Sequence, residues 1–402
     1  MNCKLNTDAL YLLHLISCAL RDDTPVPLPQ DASWDVVFQL AERNSVTTTC
    51  AFAVATVPST TDKERSRWQS KVDSSLMRHA IFDMERERIY EEMDAAGLAH
   101  ASLKGILTSQ AYPRPEMRWM CDNDFLFGKP QPDGTVKAAT DEDAHELHRI
   151  MEHLGYKTEA FGTGNHDSYQ KPPFLNIEPH RRLANPEVDW WQYYANPWAH
   201  TRKTPNGMET QRELPLEDAY LFHVAHMFKH FSSSGHGVRG LADEWVLANA
   251  WDPKMDRDYL NTELAKLGMR DFENDLRRVS ESVIGNDAYG QALTGNAEAI
   301  DQQDEQMLAY MLGSGTYGTL ANNVNNKIAK EAAENGQKGS RARYLLHRVF
   351  PPLSHLSQGY PVLKRAPWLL PGVYAYRLVI KPFTRFSRLR TELLTVIKSN
   401  RK

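Results

Sequence analysis

A chain of 402 residues, 41% apolar and 24% charged, is too long for one small module and too ordinary in composition for a disordered or fibrous protein. Two or three packed units are expected. The mean hydropathy of -0.55 and the lack of any run of about eighteen apolar residues exclude a conventional membrane span, and Met1-Asn2-Cys3-Lys4 does not open a secretory signal, so a cytoplasmic protein is expected. Cys3, Cys18, Cys50 and Cys121 form no CxxC pair, which supports neither a disulfide framework nor a cysteine zinc cage.

The formal charge of -4 conceals an asymmetry. Residues 341–402 carry thirteen Lys or Arg and one acid, a balance of +12, so the other 340 residues carry -16. Such a basic block attracts phosphate in lipid head groups, nucleic acid or polyphosphate ligands, or neutralises the acidic body in cis.

In chain order, Leu10 to Ile16 and Trp34 to Leu40 predict helices within a helical region spanning residues 1–97. A longer helix is expected from about Val72 to Ala96, with Leu76, Ile81, Met84, Ile89 and Met93 on its apolar stripe and Gly97 ending it. Residues 98–214 read as an α+β core. His100-Ala101-Ser102-Leu103 is a short strand entering a turn at Lys104-Gly105, and Cys121 to Phe127 is a second strand. Asp141 to Leu154 predicts an amphipathic helix with an acidic start. Tyr156–Ala160, Ser168–Gln170 and Phe174–Leu183 are further strands. From Leu216 the helical period returns and defines a helical domain over residues 215–333, followed by a linker at Asn335–Ser340 and the basic, aromatic tail of residues 341–402. The fold class expected is α+β: a small mixed sheet with flanking helices, between mainly helical N-terminal and C-terminal regions.

The chemistry concentrates at Lys104-Gly105 and at Asp122-Asn123-Asp124. Two carboxylates at i and i+2 of a strand share one face and can hold a divalent cation between them. Magnesium takes hard oxygen ligands and completes its shell with substrate phosphates. A surface Asp pair without a ligand shows the same pattern. Glu178, in Leu175-Asn176-Ile177-Glu178-Pro179-His180, offers a third acid from another strand, which would complete a two-metal phosphoryl-transfer site. Its alternative is a surface ion pair with Arg181 or Arg182.

The order Leu103-Lys104-Gly105, Tyr112-Pro113, Met117-Arg118 and Asp122-Asn123-Asp124-Phe125-Leu126 resembles the signature of an uncharacterised nucleotidyltransferase family of bacterial proteins, within the polymerase-beta-like superfamily. That signature runs L-K-G, Y-P, R, D-I-D-L-L. Glu178-Pro179-His180 is similar to its E-x-H strand, and His226 to His230 with Asp243 to its helical H-x-x-x-H and following D, so the resemblance spans about residues 70 to 260. Where the superfamily places Gly-Ser at the turn, this chain has Lys104-Gly105-Ile106, and Asn123 replaces the usual apolar residue between the acids. The resemblance implies that Asp122 and Asp124 ligate Mg2+, that Glu178 completes the metal site or acts as base, that Lys104 and Gly105 cradle a triphosphate, and that Arg118 neutralises charge on the phosphates. It makes His180, His226, His230 and Asp243 candidate substrate contacts. The implied activity is transfer of a nucleoside monophosphate from an NTP to an unknown hydroxyl or phosphate acceptor, with a glycan-related acceptor among the options. The alternative is a catalytically inactive nucleotide-binding or scaffold protein of the same fold.

His223, His226 and His230 sit at i, i+3 and i+7 of the predicted helix, and His226 with His230 has the spacing of a metal clamp. The metalloprotease glutamate is missing, so zinc is not expected and packed or substrate-contacting histidines are the other readings. Trp190, Trp191, Tyr193, Tyr194 and Trp198 either stack on a base or sugar or fill a core. In the tail, Trp368, Tyr374 and Tyr376 interleave with Arg and Lys, and Ser387 to Lys398 reads as a short basic helix. That composition suits peripheral contact with an anionic membrane, at the inner face, or a docked structural tail; nucleic acid is a third candidate partner.

Overall fold

The computed structural model describes residues 5–58, 60–162, 164–186, 188–295, 301–335, 340–353, 356–357, 360, 362–384, 390–392 and 394–396. Most of the proposed linker, and half of the basic helix over residues 387–398, lies outside them. The chain divides into two compact units: Met1–Lys229 with Gly237–Gly313, and His230–His236 with Ser314–Lys402.

The first unit begins with α1 (Thr7–Arg21), α2 (Trp34–Arg43) and α3 (Thr47–Val54), followed by α4 (Asp62–Ala95), capped by the Thr61 side chain. On α4 the buried positions are Trp68, Val72, Ser75, His79, Phe82, Ile89 and Met93. They step by four, three or, from Phe82 to Ile89, seven residues, the spacing that keeps one face of a helix inward. Leu76 and Met84 are 57% and 68% exposed, which corrects the expected stripe. Leu76 follows Ser75 and is therefore turned by about 100° from the buried line. Ser75 and His79 displace apolar residues from that line because each makes a hydrogen bond there. The Ser75 hydroxyl donates to the Glu116 carbonyl (2.8 Å) and His79 Nε2 to the Arg118 carbonyl (2.9 Å), which fixes the segment leading to the second strand.

The sheet comprises β1 (Ala99–Ser102), β2 (Asn123–Pro130), β3 (Val136–Ala138), β4 (Lys157–Ala160), β5 (Ser168–Lys171) and β6 (Leu175–His180). Its order is β1-β2-β6-β5-β4, with β3 on the far half of β2; β2 and β6 run parallel and the other pairs antiparallel. Between β1 and β2 lies the one-turn helix α5 (Gly105–Ser109), and α6 (Asp141–His153), closed by a Thr140–Asp143 capping box, lies between β3 and β4.

Alternation along the strands builds two different faces. Phe125, Phe127, Leu175 and Ile177 join Phe82, Ile89 and Met93 of α4 and Leu147, Ile150 and Met151 of α6 in one core. Burying each phenylalanine contributes about 1.5–3 kcal/mol. Ala99, Ala101 and Leu126 face the other way, into a core with Ala219, Tyr220, Val224 and Ala225 of α7 (Leu216–Ser233) and Leu247 of α8 (Arg239–Trp251). The architecture is α+β, a mixed sheet flanked by helices with helical termini. A two-stranded ribbon, Arg202–Lys203 with Arg212–Glu213, completes the β structure of the described residues.

In the second unit, Val324, Ile328, Tyr344 and Val396 form a small core of helices Leu320–Asn335 and Ser340–Val349 and the tail, and Arg348 pairs with Glu392 (2.9 Å). No helix among the described residues is long and apolar enough to cross a membrane.

Candidate functional site

Because β2 and β6 are parallel with Asp124 opposite Glu178 and Leu126 opposite His180, the alternation that sends Phe125 and Ile177 into the α4/α6 core puts Asp124, Glu178 and His180 together on the opposite face. Asp122 precedes β2 with the same parity. Asn123 points the other way: its side-chain amide donates weakly to the Phe82 carbonyl (3.4 Å), and its Oδ1 is buried without a partner. The unusual residue of the D-x-D triplet therefore belongs to the core side, away from the acids.

Lys104 joins the acids from the end of β1. Its backbone lies at φ 43° and ψ -114°, a region that non-glycine residues rarely adopt and that costs about 1–3 kcal/mol. That bend turns its side chain onto the sheet, where Nζ lies 3.0 Å from Asp124 Oδ1. His180 Nε2 donates to the same oxygen at 2.7 Å. A β-carbon on Gly105 would sit 3.2 Å from Arg118 Nη1 and Met120 Cε, so the turn after Lys104 is tightly walled. Asn176 donates to Glu178 Oε1 (3.0 Å), and Glu178 Oε2 faces His166 Nε2 at 3.5 Å.

The electrostatics separate the three acids. Burial opposes ionisation of Asp124, but the Lys104 ammonium and the His180 hydrogen bond outweigh it and hold this carboxyl well below the usual range. Burial and then the Asp124 charge push Asp122 up. Glu178 is pushed up to about 7 by burial, then by Asp124 and Asp122. Burial lowers His180 to about 4, so its imidazole is neutral. Lys104 keeps its proton because the surrounding carboxylates overcome its burial. The Lys104 ammonium thus lies in the field of Asp124, Asp122 and Glu178, oxygen donors of the kind Mg2+ takes, but among the described residues the groups with ligand atoms within 4.8 Å of one another are His166–Glu178–His180 and His14–Cys18–Asp287, not these three acids.

Arg118 and Asp243 meet on the far side of the turn. Arg118 Nε and Nη2 grip Asp243 at 2.8 and 3.0 Å, Tyr112 donates to the same carboxylate at 2.7 Å, and Arg118 Nη1 reaches the Gly105 carbonyl at 3.4 Å. Both charged groups are buried. Arg118 therefore acts on the acids through its field, which opposes the rise at Asp122, while its fork is held by α8. His226 lies half-buried in the first unit, its ring 6.3 Å from Phe222; His230 lies in the second unit, 6.3 Å from His236. Tyr194 and Trp198 are core residues, with Trp190, Trp191 and Tyr193 packed against them.

Two groups near the acids were not singled out by the sequence. Lys229, on α7, is lowered first by burial and then by Lys104, against the pull of Asp124 and Glu178, so its ammonium shares the field of the site. His166 precedes β5 and stands beside Glu178. Lys229 falls one helical turn after His226, a spacing that could have drawn notice; nothing in the local sequence marks His166.

The mixed sheet thus carries acids on adjacent parallel strands beside a lysine turn. The family model described as uncharacterised nucleotidyltransferase matches residues 30–285, more than half of the chain, and the protein belongs to that family. No curated protein and no solved structure matches it.

Proposed function

We propose that this protein is a Mg2+-dependent nucleotidyltransferase that moves a nucleoside monophosphate from an NTP to a hydroxyl or phosphate acceptor and releases pyrophosphate. The observation that carries this reading is the register that sets Glu178 against Asp124, with Lys104 bent onto the same acid. Asp122, Asp124 and Glu178 would hold the cation, which neutralises phosphate charge and orients the triphosphate when bound. Lys104 would exchange Asp124 for a phosphate oxygen as substrate arrives, so that its charge meets the charge building on the departing pyrophosphate. His180 steadies Asp124. Arg118, clamped by Asp243, holds the turn carrying Gly105.

Incubating the protein with each α-labelled NTP, Mg2+ and cell extract should label an acceptor, and Asp122→Asn or Asp124→Asn should reduce labelling more than about 100-fold. Undiminished transfer by both variants overturns the proposal. Mg2+-dependent NTP binding without transfer to any acceptor would favour the catalytically inactive nucleotide-binding alternative.

For the tail we propose peripheral contact with an anionic membrane. Trp368 is 75% exposed, and Tyr376, Leu378 and Val379 are exposed beside Arg377 on helix Leu370–Thr384. Flotation with phosphatidylserine vesicles should fall on truncation at residue 340; equal flotation defeats this contact.

A further inference from the structure

Glu178 also belongs to a second donor set, whose two histidines the proposed Mg2+ chemistry does not use as ligands. A ring nitrogen of His166, a ring nitrogen of His180 and a carboxylate oxygen of Glu178 lie within 4.8 Å of one another. Backbone pairing of His166 with His180 brings the rings together, with centroids 4.9 Å apart. His166 is held between two anchored neighbours. Asn165 accepts the Arg181 backbone N–H (2.9 Å), and the buried Asp167 carboxylate is bound by Arg181 (2.9 Å) and by the Gly162 backbone N–H (2.7 Å).

The hydrogen bonds leave the nitrogens available. His180 is 1% exposed and donates Nε2–H to Asp124, so its neutral ring keeps a lone pair on Nδ1, which is buried without a partner. A carboxylate behind the N–H of a ligating imidazole is the usual support for a metal-bound histidine. His166 makes no hydrogen bond among the described residues, and its Nδ1 is also buried and unpartnered. Its Nε2 lies 3.5 Å from Glu178 Oε2, too long for a good hydrogen bond. It is close to the ~3.4 Å edge between two ligands of a tetrahedral ion with bonds of ~2.1 Å.

The other cluster of this kind among the described residues behaves differently. In the His14–Cys18–Asp287 group, His14 Nδ1 donates to Asp287 (2.9 Å) and Nε2 accepts the Val26 backbone N–H (3.0 Å), so both ring nitrogens are engaged.

We infer that His166, Glu178 and His180 form a site for a borderline divalent cation of the Zn2+ class, with two imidazole nitrogens, one carboxylate oxygen and an open position for water or substrate. Imidazole selects such ions over Mg2+, whereas the neighbouring acids favour Mg2+. Glu178 belongs to both sets, so the two metal populations are coupled. The inference rests on the nucleotidyltransferase reading only for that coupling; the site itself stands on the donor geometry.

Co2+ is the probe, added alone to metal-free full-length protein. Wild type should bind one equivalent with the intense visible absorption of a four- or five-coordinate ion. His166→Ala and His166→Gln should weaken binding at least ~10-fold while keeping the unliganded Tm, and His14→Ala should leave the spectrum unchanged. Absence of the spectrum in wild type, its persistence in both His166 variants, or its loss in His14→Ala overturns the inference. Nucleotidyl transfer with Mg2+ alone is read separately. Transfer without Co2+ binding removes this site and leaves the proposed activity, whereas Co2+ binding without transfer does the reverse.

Discussion

Asp124 and Glu178 stand opposite each other on the parallel strand pair β2–β6, and the same pairing sends Phe125 and Ile177 into the core behind them. The acids cannot be separated without losing the register that fills that core, because a slip of one residue would turn every side chain of the strand to the wrong face. The position of the site is therefore enforced by hydrophobic packing, and its chemistry by the residues left facing away from it.

In the proposed site, Lys104, paired with Asp124 at 3.0 Å, would compete with a cation for that acid. Removing its ammonium in Lys104→Ala leaves three carboxyl groups without their nearest counter-charge, so the metal-free protein should melt lower than wild type. Added Mg2+ should then raise the Tm of the variant by more than it raises that of wild type. Equal Mg2+ shifts in the two proteins would show that Asp124 is not part of the cation site.

The Arg118–Asp243 pair ties the turn to α8 from a buried position. Asp243→Asn strands a buried guanidinium and should destabilise the fold by about 3–5 kcal/mol, read as a lower urea midpoint. A double variant, Arg118→Met with Asp243→Leu, should recover more than half of that loss, since the price lies in the unpaired charge.

Asn123 faces the α4/α6 core with an unpartnered Oδ1 and one weak hydrogen bond. Asn123→Ile replaces it with an apolar, β-branched residue, as in the D-I-D pattern of the related signature. Stability should rise by about 1 kcal/mol, visible as a higher Tm. A lower Tm would mean that the Phe82 carbonyl depends on that amide.

Glu244 on α8 is fully buried and accepts the Tyr220 hydroxyl at 2.7 Å; burial pushes it up to about 7 from 4.5. As pH rises from 4.5 to 7 the unfolded chain releases a proton that the folded chain retains, so this residue's contribution to stability falls over that window and stays low above it. Glu244→Gln imitates the protonated acid. Its Tm relative to wild type should therefore be higher at pH 8 than at pH 5, by the equivalent of a few kcal/mol. A pH-independent difference would rule out this titration.

Much of the fold was legible because alternation and helical spacing are local. The strands at His100–Leu103, Cys121–Phe127 and Phe174–Leu183, and the helix from Asp141, reappear within a few residues of their expected limits. The stripe on α4 differs from the expected one at Leu76 and Met84, since apolarity alone does not show that Ser75 and His79 take buried positions through hydrogen bonds to the Glu116 and Arg118 carbonyls. The three acids and the Lys104-Gly105 turn are visible as residue types in a recognisable order, and they lie within residues 30–285, which the family model matches.

What the sequence determined by itself was composition, the alternation of faces along each strand and the presence of acids beside a lysine turn, all properties carried within a few residues of chain. Only the tertiary structure decided that β6 lies parallel to β2 with Glu178 against Asp124, that Arg118 is held by Asp243, and that His166 stands beside His180. Strand register and buried pairing are settled by the joint filling of two cores on either side of the sheet, and no local stretch of sequence contains that information.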